Sequence, residues 1–100
     1  MRKKQHFQLR PQAIQDLENI YKYSVQEFGL ERAEQYILDL NSSFMQIAET
    51  PTLGRYYSHV RAGLLAFNVV SHIVFFRQSA NGILILRILH KSMDCNRHLT

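Results

Sequence analysis

The residues of this chain best equipped for chemistry cluster near its C-terminus: Arg87, His90, Asp94, Cys95, Arg97 and His98. Imidazoles exchange protons near neutral pH, and guanidinium groups grip carboxylates or phosphates through paired hydrogen bonds. Arg87 is the odd member, because it stands inside the apolar run Gly82-Ile-Leu-Ile-Leu-Arg-Ile-Leu89. An ionised side chain among isoleucines and leucines must be paired or solvated at a rim. Two uses of Arg87 are therefore open: a structural cation tied to Asp94 or to loop carbonyls near Arg61, or a group that meets a partner. His90, at the end of the same run, either satisfies backbone groups or meets a partner too. His90, Asp94, Cys95 and His98 follow the spacing H-x3-D-C-x2-H, which matches no common zinc pattern, so no metal and no cofactor are expected. Cys95 is the only cysteine, which excludes an internal disulfide and fits a reducing compartment.

The elements that must position these residues follow from hydrophobic spacing. His6-Phe-Gln-Leu9 alternates and predicts a short strand. Pro11 suits the first turn of a helix, and Ile14, Leu17, Tyr21, Ser24, Val25 and Phe28 then recur at helical steps until Gly29. A second stripe, Ala33, Ile37, Leu40, Phe44, Ile47 and Ala48, runs to the stop at Thr50-Pro51. So short a connection predicts an antiparallel helix hairpin. Thr52 to Arg61 has no clean period and is expected to be a loop. Three β-type segments follow, Leu64 to Val70, His72 to Arg77 and Ile83 to Leu89, with Asn81-Gly82 as a tight-turn signal. In the last segment, strict alternation puts Ile83, Ile85, Arg87 and Leu89 on one face and Leu84, Leu86, Ile88 and His90 on the other. The expected fold is one α+β domain over residues 1–100: an N-terminal strand, an antiparallel two-helix hairpin, then a three-stranded antiparallel meander with the helices packed on one face of the sheet.

Charge divides the chain. Residues 1–50 hold six Lys or Arg against seven Asp or Glu, whereas residues 51–100 hold six cations against Asp94 alone. The second half is thus near +5 (six minus one), and five of its six cations are Arg. Such an imbalance fits either a solvated basic surface or an acidic partner, a polyanion or an acidic protein segment. With 46% hydrophobic and 20% charged residues, disorder is excluded. The longest apolar run is far too short to span a membrane, and no apolar stretch follows the basic Met1-Arg-Lys-Lys4 as it would in a signal peptide. A cytoplasmic protein without a membrane partner is expected.

The element order, the run Leu53-Gly-Arg55 after a Thr-Pro helix stop, the Arg61-Ala-Gly-Leu64 lead into the sheet, and above all Arg87-Ile-Leu-His90-x-x-Met93-Asp94 followed by Arg97-His98-Leu99 resemble the ParE toxins of the ParE/RelE toxin–antitoxin superfamily. The resemblance covers nearly the whole chain, and its specific part is the C-terminal motif. It implies a toxin that inhibits DNA gyrase and is neutralised by a ParD-like antitoxin in a hetero-oligomeric complex, with no catalytic residue. The residues implied to meet the target are Arg61, Arg87, His90, Met93, Asp94, Arg97 and His98. An acidic C-terminal antitoxin segment is implied to wrap the helix hairpin, with Tyr21, Val25, Tyr36 and Arg77 as contacts. The alternative is the RelE branch, a ribosome-dependent mRNA endonuclease, in which Arg61, Arg87 and His90 would supply the acid, the base and the phosphate-binding cation. The absence of any tyrosine after Tyr57 and of any lysine after Lys22 except Lys91 favours the non-nuclease branch.

Overall fold

The computed structural model describes residues 6–99. Its elements run β1 (His6–Leu9), α1 (Pro11–Phe28), α2 (Leu30–Glu49), a 3₁₀ turn (Pro51–Leu53), β2 (Arg55–Tyr56), β3 (Leu65–Val69), β4 (His72–Ser79), β5 (Gly82–His90) and α3 (Cys95–Leu99). The five strands form one sheet in the order β1-β5-β4-β3-β2. The pairs β2–β3, β3–β4 and β4–β5 are antiparallel, and β1 lies parallel to β5.

Local chemistry accounts for the helix ends. Pro11 opens α1 where its lack of an N–H costs no helical hydrogen bond, and Gly29 alone separates the two helices. Gly29 sits at φ 88°, a left-handed geometry that costs glycine nothing and reverses the chain sharply enough to lay α2 back on α1. Pro51 ends α2, whose last turn is closed by the Thr50 N–H donating to the Gln46 carbonyl at 3.0 Å. Gly82 answers a different need. A Cβ there would stand 1.7 Å from the His6 carbonyl oxygen, so glycine is what lets β1 approach β5.

Two apolar clusters hold the layers together. On the helix side, Ala13, Ile20, Leu40, Phe44 and Ile47 meet Val74, Phe76, Ile83, Ile85 and Ile88 of the sheet. On the opposite side, Leu64, Ala66, Ile73, Phe75, Leu86 and Leu89 are covered by Cys95 and Leu99 of α3, with Tyr57 and Val60 packed alongside. The polar C-terminal run therefore folds into a short helix whose two apolar members seal the second face of the sheet.

Several expectations need correction. The segment expected as a loop, 52–61, contributes part of the 3₁₀ turn and the edge strand β2, which makes the sheet wider than the meander. The β4–β5 turn consists of Ala80 and Asn81, because Ser79 pairs with Gly82. In α1, the stripe members Ile14 and Phe28 are exposed; Ser24 of that stripe is buried, together with Ala13 and Ile20, which the stripe left out. The strict alternation expected in β5 also fails. Phe75 pairs with Arg87 but Phe76 pairs with Ile85, so Leu86 is an extra residue, a β-bulge. Past a bulge every side chain changes face. Ile88 consequently joins Ile83 and Ile85 under the helices, while Arg87 and Leu89 join Leu86 on the other side. The extra residue escapes an alternation count because both faces of β5 are apolar.

Candidate functional site

The bulge decides the fate of Arg87. Since β1 stops at Leu9, opposite Ile85, the outer edge of β5 beyond that point has no strand beside it. Asp16 of α1 fills the gap. Its carboxylate accepts the Ile88 N–H at 2.9 Å, together with Arg87 Nε at 2.8 Å and the second guanidinium nitrogen at 2.9 Å. The third Arg87 nitrogen donates to the His98 carbonyl at 3.3 Å, so that one side chain ties α1, β5 and α3 together. Both partners are largely covered, with side-chain exposures of 18% and 12%. The hydrogen bond to Asp16 raises the guanidinium pKa still further. Arg87 is thus a structural cation, although its partner is Asp16 rather than Asp94 or the carbonyls near Arg61.

Past the bulge, His90 faces the helices and meets His72, its partner across the β4–β5 pair, with ring centroids 5.2 Å apart. The Ser92 backbone N–H donates to His90 Nδ1 at 3.1 Å, which puts the proton of the neutral ring on Nε2. His72 Nδ1 lies 2.6 Å from the Tyr36 hydroxyl, which also receives the Ser71 N–H at 3.4 Å and lies 3.2 Å from the Val69 carbonyl. Burial, helped by neighbouring His90 and opposed by Asp16, pushes the His72 pKa down to about 4. His72 is therefore neutral at pH 7. Burial also raises the Tyr36 phenol, against the Ser71 hydrogen bond that lowers it.

These groups floor a cavity of about 400 Å³ between the end of the sheet and the loop end of the helix hairpin. Tyr23, Phe28 and Val70 stand at its rim, 59%, 58% and 74% exposed, with Arg32 and Asp39 as its charged members. Val70 heads the two-residue β3–β4 turn at φ 51°, a conformation costly for a β-branched side chain. A strained, exposed valine at the mouth of a part-apolar cavity is the arrangement expected where a partner side chain docks.

Of the residues expected to meet a target, the structure gathers Met93, Asp94, Arg97 and His98 on and just before α3, all exposed. Arg61 is exposed in the loop that Tyr57 and Val60 seat on the same side of the sheet. His90 lies on the other side, under the helices, so Arg61, Arg87 and His90 do not converge on one point. Cys95 is buried, and burial raises its thiol pKa, whereas His98 is exposed; the spacing considered for a metal is split between core and solvent. Of the expected antitoxin contacts, Tyr36 lines the cavity, Tyr21 and Val25 are half-buried on α1, and Arg77 is exposed on β4 across the sheet from the cavity. Sequence reasoning placed the Val70-Ser71 connection without giving it a role, and it missed Asp16, His72 and Arg32. The signal for Asp16 was present: an acid on the helical face that carries Ala13 and Ile20 needs a buried partner.

A strand, a helix hairpin and a mostly antiparallel sheet closed by a short C-terminal helix define a small α+β domain. The model of the family described as the ParE toxin of the type II toxin–antitoxin system parDE matches residues 7–95, and the chain belongs to that family. It is 37% identical to Toxin ParE1 of Caulobacter vibrioides over 93% of this chain and 96% of that one. It is 33% identical to Toxin ParE1 of Mycobacterium tuberculosis over 91% of this chain and 94% of that one. Among solved structures, the chromosomal ParDE toxin–antitoxin system from P. aeruginosa superposes with a TM-score of 0.75 at 21% identity, covering 89% of this chain and 98% of that one. The YoeB-YefM complex from Staphylococcus aureus gives 0.57 at 18% identity, over 86% and 95%. Among the described residues, no helix is long and apolar enough to cross a membrane.

Proposed function

We propose that this chain acts as a cytoplasmic, non-enzymatic toxin that inhibits DNA gyrase and is held inactive by a ParD-like antitoxin. The observation that carries the reading is the family match over residues 7–95. The scattering of Arg61, Arg87 and His90 supports a binding toxin over a nuclease. In this reading Arg61, Met93, Asp94, Arg97 and His98 meet the target, Arg87 holds α3 in place for them, and His90 belongs with the antitoxin cavity. Purified protein is expected to block supercoiling or trap gyrase–DNA cleavage complexes while leaving mRNA intact in a translation reaction. Unimpaired supercoiling at a large molar excess of folded protein sinks this reading.

The antitoxin arrangement is refined by the charge layout. The hairpin carries seven of the eight acids against only Lys22 and Arg32, so an acidic segment gains little by pairing with it. Apolar side chains of the antitoxin enter the cavity beside Tyr36 and Val70, with Tyr21 and Val25 as further contacts on α1. Its acids reach past the sheet end to the arginines across the sheet, Arg77 among them. Raising salt is expected to slow association strongly and change dissociation far less. If the antitoxin's isolated N-terminal domain binds as tightly as the whole antitoxin, the arrangement is wrong.

A further inference from the structure

The sheet register sorts charge by face in a way the sequence count only hints at. Arg55 pairs with Ala66 and Arg77 pairs with Leu84, and both partners belong to the cluster on the side away from the hairpin. Arg97 rides on α3 and Arg61 on the loop seated by Tyr57 and Val60, over that same side. All four are exposed, and among the described residues the one ion pair is Asp16–Arg87, so none of the four is neutralised by a carboxylate. Asp94 is the only acid outside the hairpin. The molecule therefore has an acidic helix layer and an arginine face.

We propose that this arginine face binds the phosphate backbone of duplex DNA directly. Single-stranded nucleic acid is held mainly by stacking bases on exposed aromatic rings. On this face Phe75 is fully buried and Tyr57 is engaged, 4.5 Å from the His59 ring and 5.2 Å from Phe75. Tyr56, 81% exposed, pairs with Leu65 and so belongs to the helix side. What remains is a set of guanidinium groups on a body 39 × 37 Å across, which matches about ten base pairs at roughly 3.4 Å each. Arg55 is partly pre-positioned by donating to Asn68 Oδ1 at 2.7 Å, leaving further N–H groups for a phosphate. The surface deepens the gyrase reading, since a toxin seated on a gyrase–DNA complex would touch both components, but it stands without gyrase.

The test is fluorescence anisotropy of a labelled 20-base-pair duplex titrated with the purified protein at several salt concentrations. Four phosphate contacts predict a slope of log K against log salt near −3.6, a loss of about 150-fold between 50 and 200 mM. The combined Arg55→Gln, Arg77→Gln, Arg97→Gln variant, checked for fold by circular dichroism, should lose most of that slope, and Lys22→Gln on the hairpin should keep it. No binding at 50 mM salt, a triple variant that binds like the parent, or single-stranded RNA that outcompetes the duplex would each overturn the proposal. The supercoiling reaction separates the two readings. DNA binding with normal supercoiling removes the gyrase reading and leaves this surface, and blocked supercoiling without DNA binding does the reverse.

Discussion

Asp16 and Arg87 lie 71 residues apart in sequence and form a two-pronged ion pair at 2.8 and 2.9 Å, while the same carboxylate accepts the Ile88 N–H on the open edge of β5. The pair replaces the missing strand partner beyond Leu9 and fixes both α1 and α3 to the sheet. The two residues should not be equivalent on deletion. Asp16→Ala leaves a covered guanidinium and a backbone N–H unsatisfied and is expected to cost about 3 kcal/mol. Arg87→Met leaves the carboxylate one N–H donor and should cost less. A double-mutant cycle from urea unfolding should give a coupling of about 1–3 kcal/mol. Additive effects would show that the pair contributes nothing of its own.

The His72 imidazole, with its pKa near 4, gives stability a pH dependence of known sign. An unfolded histidine titrates near 6.5, so between pH 6.5 and about 4 the unfolded chain binds more protons than the folded one. Stability contributed by the neutral ring is complete above pH 6.5 and is lost as pH falls through this window. The urea midpoint should drop between pH 7 and pH 4.5, and His72→Gln should flatten that part of the profile. A profile unchanged by the substitution would mean that other groups carry it.

Val70 sets stability against binding. Its left-handed backbone suits asparagine better than a β-branched residue, so Val70→Asn should stabilise the fold by about 0.5–1 kcal/mol. The same change removes an apolar group from the cavity rim and should weaken antitoxin binding, measured by calorimetry on the purified pair. A variant that is more stable and binds unchanged would remove Val70 from the interface.

Gly82→Ala should detach β1. The added methyl group cannot coexist with the His6 carbonyl, and φ 150° is unfavourable for alanine, so a loss of at least about 2 kcal/mol is expected. Hydrogen exchange should speed up first at the β1–β5 hydrogen bonds. Uniform acceleration across the sheet would show that β1 does not open as a separate unit.

Element order, the helix hairpin and the antiparallel meander were all legible in the residue order, because helix periodicity, proline stops and glycine turns act over a few residues. The family motif Arg87 to Leu99 was likewise legible as residue types at fixed spacing. Which face each functional residue serves emerged with the packed sheet. One unpaired residue, Leu86, transposes everything beyond it, turning His90 towards His72 and Tyr36 and Arg87 towards the open side. A bulge is selected by packing on both sides of the sheet at once, and an alternating count of a strand apolar on both faces cannot register it. The same holds for Asp16, whose position on a buried helical stripe announced a partner without naming it. Its partner became visible only when the chain brought an unpaired strand edge and a strand arginine to the same carboxylate.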